Sequence, residues 1–314
     1  MVKNNLKNSI LLFSAAFIWG TSFVFQSMGN NYMKPFTFSA ARSFLGFLVL
    51  LPIAIYKIKK VNADRKNYNI SEISETKIPF KATVIGGLCC GLALTGASLF
   101  QQYGVKYTTV SKAGFITTLY IILIPILGIF LKKKCPWTVW ISAVTACIGM
   151  YFLCMTESFS LSFGDTLVLI CAFLFAIHIL IIDYFSPKTD GVILSCIQFL
   201  ICFSVSSILT LIFDRPDFSQ IVEGIVPILY TGIMSSGVAY TFQILGQKNF
   251  NPTAAALILS LESVISAISS FIAYQLGFLS SDQSLSTLQI IGCIIVFTAV
   301  IFVQLPISSS SHKK

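Results

Sequence analysis

Charge is scarce in this chain. Only 11% of its 314 residues are Asp, Glu, Lys or Arg, whereas about a quarter of a soluble domain is charged. With 55% hydrophobic residues and a mean hydropathy of +0.84, this excludes a water-soluble globular protein. Histidine is scarcer still, at 2 residues, and the 9 cysteines form no CxxC or Cys/His spacing, so neither a structural metal nor a cofactor is expected. HExxH, paired histidines and GxSxG are all missing, and with them the groups a membrane enzyme would cluster at one interface; the chain reads as a non-enzyme. Sustained period-two alternation is absent too, which argues against a barrel.

What is present is a series of apolar windows of about twenty residues, long enough for a hydrocarbon core about 30 Å thick. Ten are predicted: Ile10 to Gln26, Phe36 to Tyr56, Thr83 to Tyr103, Thr109 to Leu131, Trp137 to Met155, Phe163 to Tyr184, Val192 to Phe213, Ile225 to Gly246, Thr253 to Gln275 and Leu285 to Leu305. Lys3 and Lys7 precede the first window as in a signal peptide, but its apolar stretch is too long and no small-residue cleavage site follows, so it is read as a retained helix.

The net charge of +9 is unevenly spread. Placing both termini in the cytoplasm puts about sixteen of the 21 Lys and Arg residues inside. Inner loops then hold Lys57, Lys59, Lys60, Arg65, Lys66, Lys77 and Lys81, and later Lys132, Lys133 and Lys134. Positive juxtamembrane loops explain this basicity more simply than nucleic acid does. The expected location is a bacterial cytoplasmic membrane. Cys89, Cys90, Cys147, Cys154, Cys171, Cys196, Cys202 and Cys293 fall within spans as small apolar residues, and Cys135 in a turn.

Most connections are short. The one long link, Lys57 to Lys81, has the polar composition of a mobile loop, and Ser308 to Lys314 that of a disordered tail. A polar turn at Glu157 to Ser162 divides the chain into 5–157 and 158–307, with 308–314 as the tail.

The two parts repeat one another. Phe100-Gln101-Gln102-Tyr103-Gly104-Val105-Lys106 recurs 142 positions later as Phe242-Gln243-Ile244-Leu245-Gly246-Gln247-Lys248, and the same shift pairs Ala97 with Ala239, Ile116 with Ile258 and Leu119 with Leu261. With five spans in each copy, an odd number, the second copy must enter the membrane from the opposite side. Inverted repeats of this kind are the plan of a secondary transporter, and two internal halves already supply a pseudo-dimer, so a monomer is expected.

Several residues could serve such a function. Glu262 falls near the middle of the ninth span, on a face shared with Ala255, Leu259, Ser266 and Ser269; a carboxyl at that depth faces a cavity or a partner and suits proton exchange, or else fixes packing. Gln101 and Gln243, on faces with Ser98 and Tyr240, offer amide donors and acceptors to a polar solute or to neighbouring helices. Thr117, Thr118 and Tyr120 surround the middle of the fourth span, where Pro125 is expected to kink the helix. Trp19 and Ser22 are candidates for a cavity wall. His178 and Asp183 are candidates for a proton relay, with a histidine bonded inside the bundle as the alternative. Arg42 and Lys112 lie near the outer face, where snorkelling accounts for them, although Arg42 would also attract an anion. Gly87, Gly91 and Thr95 form a ridge for close helix packing.

Phe115 to Pro125 and Ala254 to Val264 resemble the fourth and ninth spans of EamA-type proteins of the drug/metabolite transporter superfamily. Trp19-Gly20, Arg42, and His178 with Asp183 to Pro187 are similar to the same pattern, which extends over nearly the whole chain. Two departures stand out: Phe278 follows Gly277 where the family often has Glu, and Phe175 occupies a position where tryptophan is common. The resemblance implies an all-α membrane protein of ten helices in two inverted five-helix halves around a central cavity. It also implies export or import of small metabolites. Taken with the repeat and the candidate residues, the expected function is transport of a small polar or amphipathic metabolite, amino-acid-like or drug-like, by alternating access, with proton-coupled export through Glu262 as an option. The partners implied are that solute, the lipid bilayer and protons. A receptor or a channel is the competing reading; a channel would ordinarily show a ring of charges.

Overall fold

The structure, a computed structural model, describes residues 2–67, 80–132, 137–154, 162–279 and 286–304. Among the described residues it is helical throughout, without a strand. Eight segments are long and apolar enough to cross a membrane: Leu6–Gly29, Pro35–Ala63, Phe80–Tyr107, Val110–Phe130, Phe163–Lys188, Gly191–Asp214, Ile225–Gln247 and Pro252–Gln275. Two shorter apolar helices, Trp137–Gly149 and Thr287–Phe302, take the fifth and tenth places in chain order. The side of the bundle where the first helix begins is called the near side below, and the opposite side the far side.

One boundary differs from expectation. The second helix runs from Pro35 to Asn67, well into the stretch read as a loop. Residues 57–67 contain no glycine or proline, and their charges end the membrane span without ending the helix. The turn at 155–161, Cys135 and the tail at 308–314 lie outside the described residues.

Helix starts carry the caps their sequences supply. Asp190 accepts from the backbone of Val192 and Ile193 at the start of the seventh span, and Asn251 from Thr253 and Ala254 at the ninth. Ser162 and Asp165 form a reciprocal capping box at the sixth.

The packing is that of two exchanged copies. The third span packs on the sixth as the eighth packs on the first; the fourth meets the sixth as the ninth meets the first; the third meets the seventh as the eighth meets the second. The pairs second with seventh, fourth with ninth, and fifth with tenth each map onto themselves. A contact list unchanged by swapping halves is what a two-fold axis produces, and with an odd number of spans in each half that axis lies in the membrane plane. The Gly87, Gly91 and Thr95 ridge faces the seventh span, where Gly87 approaches Ile197 and Gly91 approaches Ile201. Corresponding glycines do the same for the long pairs: Gly104 abuts Gly164 and Val168, and Gly246 abuts Asn8 and Leu12.

Burial separates lipid from interior. On the first span Leu6, Ile10, Phe13 and Phe17 form one exposed stripe at helical spacing, while Leu12, Ala15, Ala16, Trp19 and Phe23 form the buried one. The second and seventh spans are tied at both ends, by a Lys57–Asp190 ion pair at 2.7 Å on the near side and on the far side by Asp214, whose carboxylate accepts from Thr37 N at 2.8 Å.

Candidate functional site

The fourth and ninth spans are both interrupted near their middles. Helix Val110–Thr117 gives way at Thr118–Leu119 to Tyr120–Phe130, and Pro252–Leu259 gives way at Ser260 to Leu261–Gln275. Thr118 and Ser260 are repeat equivalents, and each bends its hydroxyl back onto the carbonyl three residues earlier, Phe115 or Leu257, at 2.8 Å. Such back-bonding, with the tightened turn that accompanies it, interrupts the regular ladder. Pro125 does not break its helix: it sits inside Tyr120–Phe130, beyond the interruption.

Just past these breaks stand Tyr120 and Glu262. The tyrosine hydroxyl donates to the carboxylate at 3.1 Å, both side chains are buried, and the two residues are separated by the repeat offset of 142. Corresponding positions can touch only at the two-fold axis, so this pair marks it. The ninth span reaches it because Gly20 of the first span has no side chain: a Cβ there would lie 2.9 Å from the Glu262 carbonyl.

Around the pair is a narrow central cavity, with room in this conformation for little more than water. Its aromatic wall is Trp19, Tyr240 and Phe175, with the Trp19 and Tyr240 rings 4.6 Å apart. Its polar groups are Gln26, Arg42, Gln101, Ser235, Gln243 and Glu262, and Phe23 and Ile179 complete it. Gln101 Nε2 donates to Thr117 Oγ1 at 3.3 Å, which places Thr117 one bond behind the lining. Trp19 Nε1, Gln26 Oε1 and Gln243 Oε1 are buried and find no hydrogen-bond partner among the described residues. Two larger surface grooves, one beside Phe47 and Ile197 and one beside Leu127 and Tyr184, have almost wholly apolar linings. Convergent polar groups, rather than size, single out the central cavity.

Of the residues nominated from sequence, Trp19, Gln101, Tyr120, Tyr240, Gln243 and Glu262 meet in this cavity. Ser22 and Ser98 are buried outside its lining. His178 is fully buried against Tyr240, and its Nε2 shares a hydrogen bond of 2.9 Å with Gln198 Oε1. Asp183 lies farther along the sixth span and is half-buried. Gln102 ties the third span to the first, donating to Gln26 O and Asn30 Oδ1.

Two basic residues differ from their sequence reading. Arg42 does not snorkel to the surface: it is 5% exposed and lines the cavity. Lys112 pairs with the buried carboxylate of Asp165 at 2.7 Å, where Thr108 also donates. Gln26, Phe23, Phe175, Ile179 and Ser235 were not nominated as lining. Gln26 lies seven positions beyond Trp19, two turns on the same face, which was the available signal.

No group of three or more His, Cys, Asp or Glu suited to a metal occurs among the described residues. The model of the EamA-like transporter family matches the chain twice, over residues 6–155 and 162–305. An "Uncharacterized transporter" of Archaeoglobus fulgidus is 28% identical over 291 residues, covering 92% of this chain and 83% of that protein. "Uncharacterized transporter YoaV" of Bacillus subtilis is 20% identical over 254 residues, covering 78% of this chain and 82% of its own length. A solved crystal structure, 17% identical, superposes with a TM-score of 0.68 over 95% of this chain and 96% of that one, a likeness of fold.

Proposed function

We propose, from the premise that this chain belongs to the EamA-like transporter family, that it is a secondary carrier moving a small polar or amphipathic metabolite by alternating access through the central cavity. The observation that carries this reading is the meeting of Tyr120 with its repeat equivalent Glu262 inside a cavity walled by both halves. When two oppositely threaded copies exchange conformations, a contact between the eighth and first spans takes the shape of that between the third and sixth, and the reverse. One side closes as the other opens, at little net cost because the two arrangements are nearly alike. A pair of equivalent residues maps onto itself, so the Tyr120–Glu262 bond survives the exchange and serves as the pivot.

Glu262 is also the proposed coupling group. Burying a carboxylate at mid-membrane costs at least about 2.5 kcal/mol, and no Lys, Arg or His forms an ion pair with it among the described residues. Solute entry and proton exchange therefore compete for the same small space. In this reading the near side is cytoplasmic, the working unit is one chain, and the halves 5–157 and 158–307 alternate in role.

Purified protein in sealed liposomes tests this with a panel of labelled amino acids, amines and organic acids under an imposed pH gradient. Saturable, gradient-dependent uptake of at least one of them is expected. Flux that never saturates indicates a channel, and binding without flux indicates a receptor.

A further inference from the structure

Arg42 carries a charge that the protein leaves unanswered. Its side chain is buried among apolar spans, lines the cavity, and has no hydrogen bond or ion pair among the described residues; the Phe38 ring centroid lies 5.9 Å away, and the groups near enough to act on its charge, Tyr240, Cys202 and Cys171, are ordinarily neutral. The buried carboxyl groups, by contrast, are answered: Asp165 by Lys112, Thr108 and Ser162, Asp214 by Thr37, and Glu262 by Tyr120. Guanidinium pKa values are too high for Arg42 to discard its proton, so its charge persists and calls for an anion.

The second copy sharpens the point. In the first two spans of each half the offset is 156, since Gly104 meets Gly164 and Val168 as Gly246 meets Asn8 and Leu12; Ser39-Ala40-Ala41-Arg42 therefore corresponds to Ser195-Cys196-Ile197-Gln198. There a neutral glutamine replaces the arginine and is bonded to His178, at the place corresponding to Ser22. Ser22 Oγ, by contrast, is buried without a partner. The cation is thus present on one half only, on the far side of the two-fold axis, and the cavity is electrically polar from end to end. Two further unpartnered polar atoms of the same wall, Trp19 Nε1 and Gln26 Oε1, lie on the first span beside it.

We propose that Arg42 is the anion subsite of the cavity and that the transported solute carries a carboxylate which docks there, its apolar body against Trp19, Tyr240 and Phe175. The proposal rests on the carrier reading for the word transported, but the subsite itself does not require flux. A planar guanidinium holds a carboxylate through two parallel hydrogen bonds, and the pair is strengthened where water is excluded. Glu262, hydrogen-bonded to Tyr120 instead of to Arg42, leaves the guanidinium free for the solute.

The test is a binding measurement on the full chain in detergent, with Trp137 and Trp140 replaced by Phe so that tryptophan fluorescence reports on Trp19, and with thermal shift as a second readout. Phenylacetate and phenylalanine are compared with phenylacetamide and phenylalaninamide. At least one acid should bind about tenfold to a hundredfold more tightly than its own amide. Arg42→Gln should erase that difference, and Arg42→Lys should keep part of it, because charge remains while the fork is lost. Acids that bind no better than their amides, including the case in which none of the four binds, overturn the proposal. So does an acid preference that persists in Arg42→Gln. Acid binding without uptake into liposomes would sink the carrier reading and leave the subsite standing.

Discussion

The hydroxyl of Tyr120 donates to the carboxylate of Glu262 at 3.1 Å, and the two residues hold the same position in the two halves of the chain. One half contributes a neutral donor and the other an ionisable acceptor to a contact that symmetry would otherwise make identical. In the proposed cycle, that asymmetry lets a two-fold scaffold carry a single proton.

Glu262→Gln keeps an acceptor for Tyr120 and removes the ionisable group. Thermal stability in detergent should change by less than about 1 kcal/mol, while uptake should lose its dependence on a pH gradient. Unchanged gradient dependence would remove Glu262 from coupling.

Gln243→Leu separates fold from function. The Gln243 Oε1 has no partner among the described residues and is buried, so replacing the amide removes a desolvated polar atom at little structural loss. Unfolding temperature should hold or rise while uptake falls by about tenfold or more. A matched loss of both would indicate a packing role only.

The Lys112–Asp165 pair on the far side should be asymmetric in its response. Lys112→Met leaves a fully buried carboxylate with Thr108 and Ser162 as its donors. Stability should drop by about 1 to 3 kcal/mol, allowing for water at the part-exposed lysine. Adding Asp165→Asn should restore part of it, as measured by urea or thermal unfolding.

Glycine wedges should bias the cycle in opposite directions. A Cβ at Gly246 would lie 2.9 Å from Leu12 Cγ, and one at Gly104 would lie 3.0 Å from Gly164 O. Gly246→Leu should loosen the near side and Gly104→Leu the far side, each at about 1 to 3 kcal/mol in stability. Labelling of a cysteine introduced at the cavity residue Ser235, from each side in turn, should shift accordingly.

Much of the architecture was legible in the sequence because lipid imposes long apolar windows and because the Phe-Gln repeat survives with its spacing. The Tyr120–Glu262 pairing was latent there: both were nominated, and adding the repeat offset to 120 gives 262. The helix breaks at Thr118 and Ser260 were hidden by Pro125, the more conspicuous residue, although their hydroxyls at equivalent positions carried the signal. Arg42 was misread because its place near a helix end suits snorkelling; only the neighbouring spans decide that it points inward. Asn67 as a helix end was missed because charge stops a membrane window without stopping helical hydrogen bonding.

Lys106 ends the third span and Lys248 follows the eighth, at corresponding places in the two copies. Cysteines placed at these two positions in a chain otherwise freed of cysteine, and probed with a membrane-impermeant maleimide in oriented vesicles, report the threading of each half. Labelling from opposite sides is the predicted result. Labelling of both from one side would contradict the inverted halves, and with them the shared cavity and its pivot.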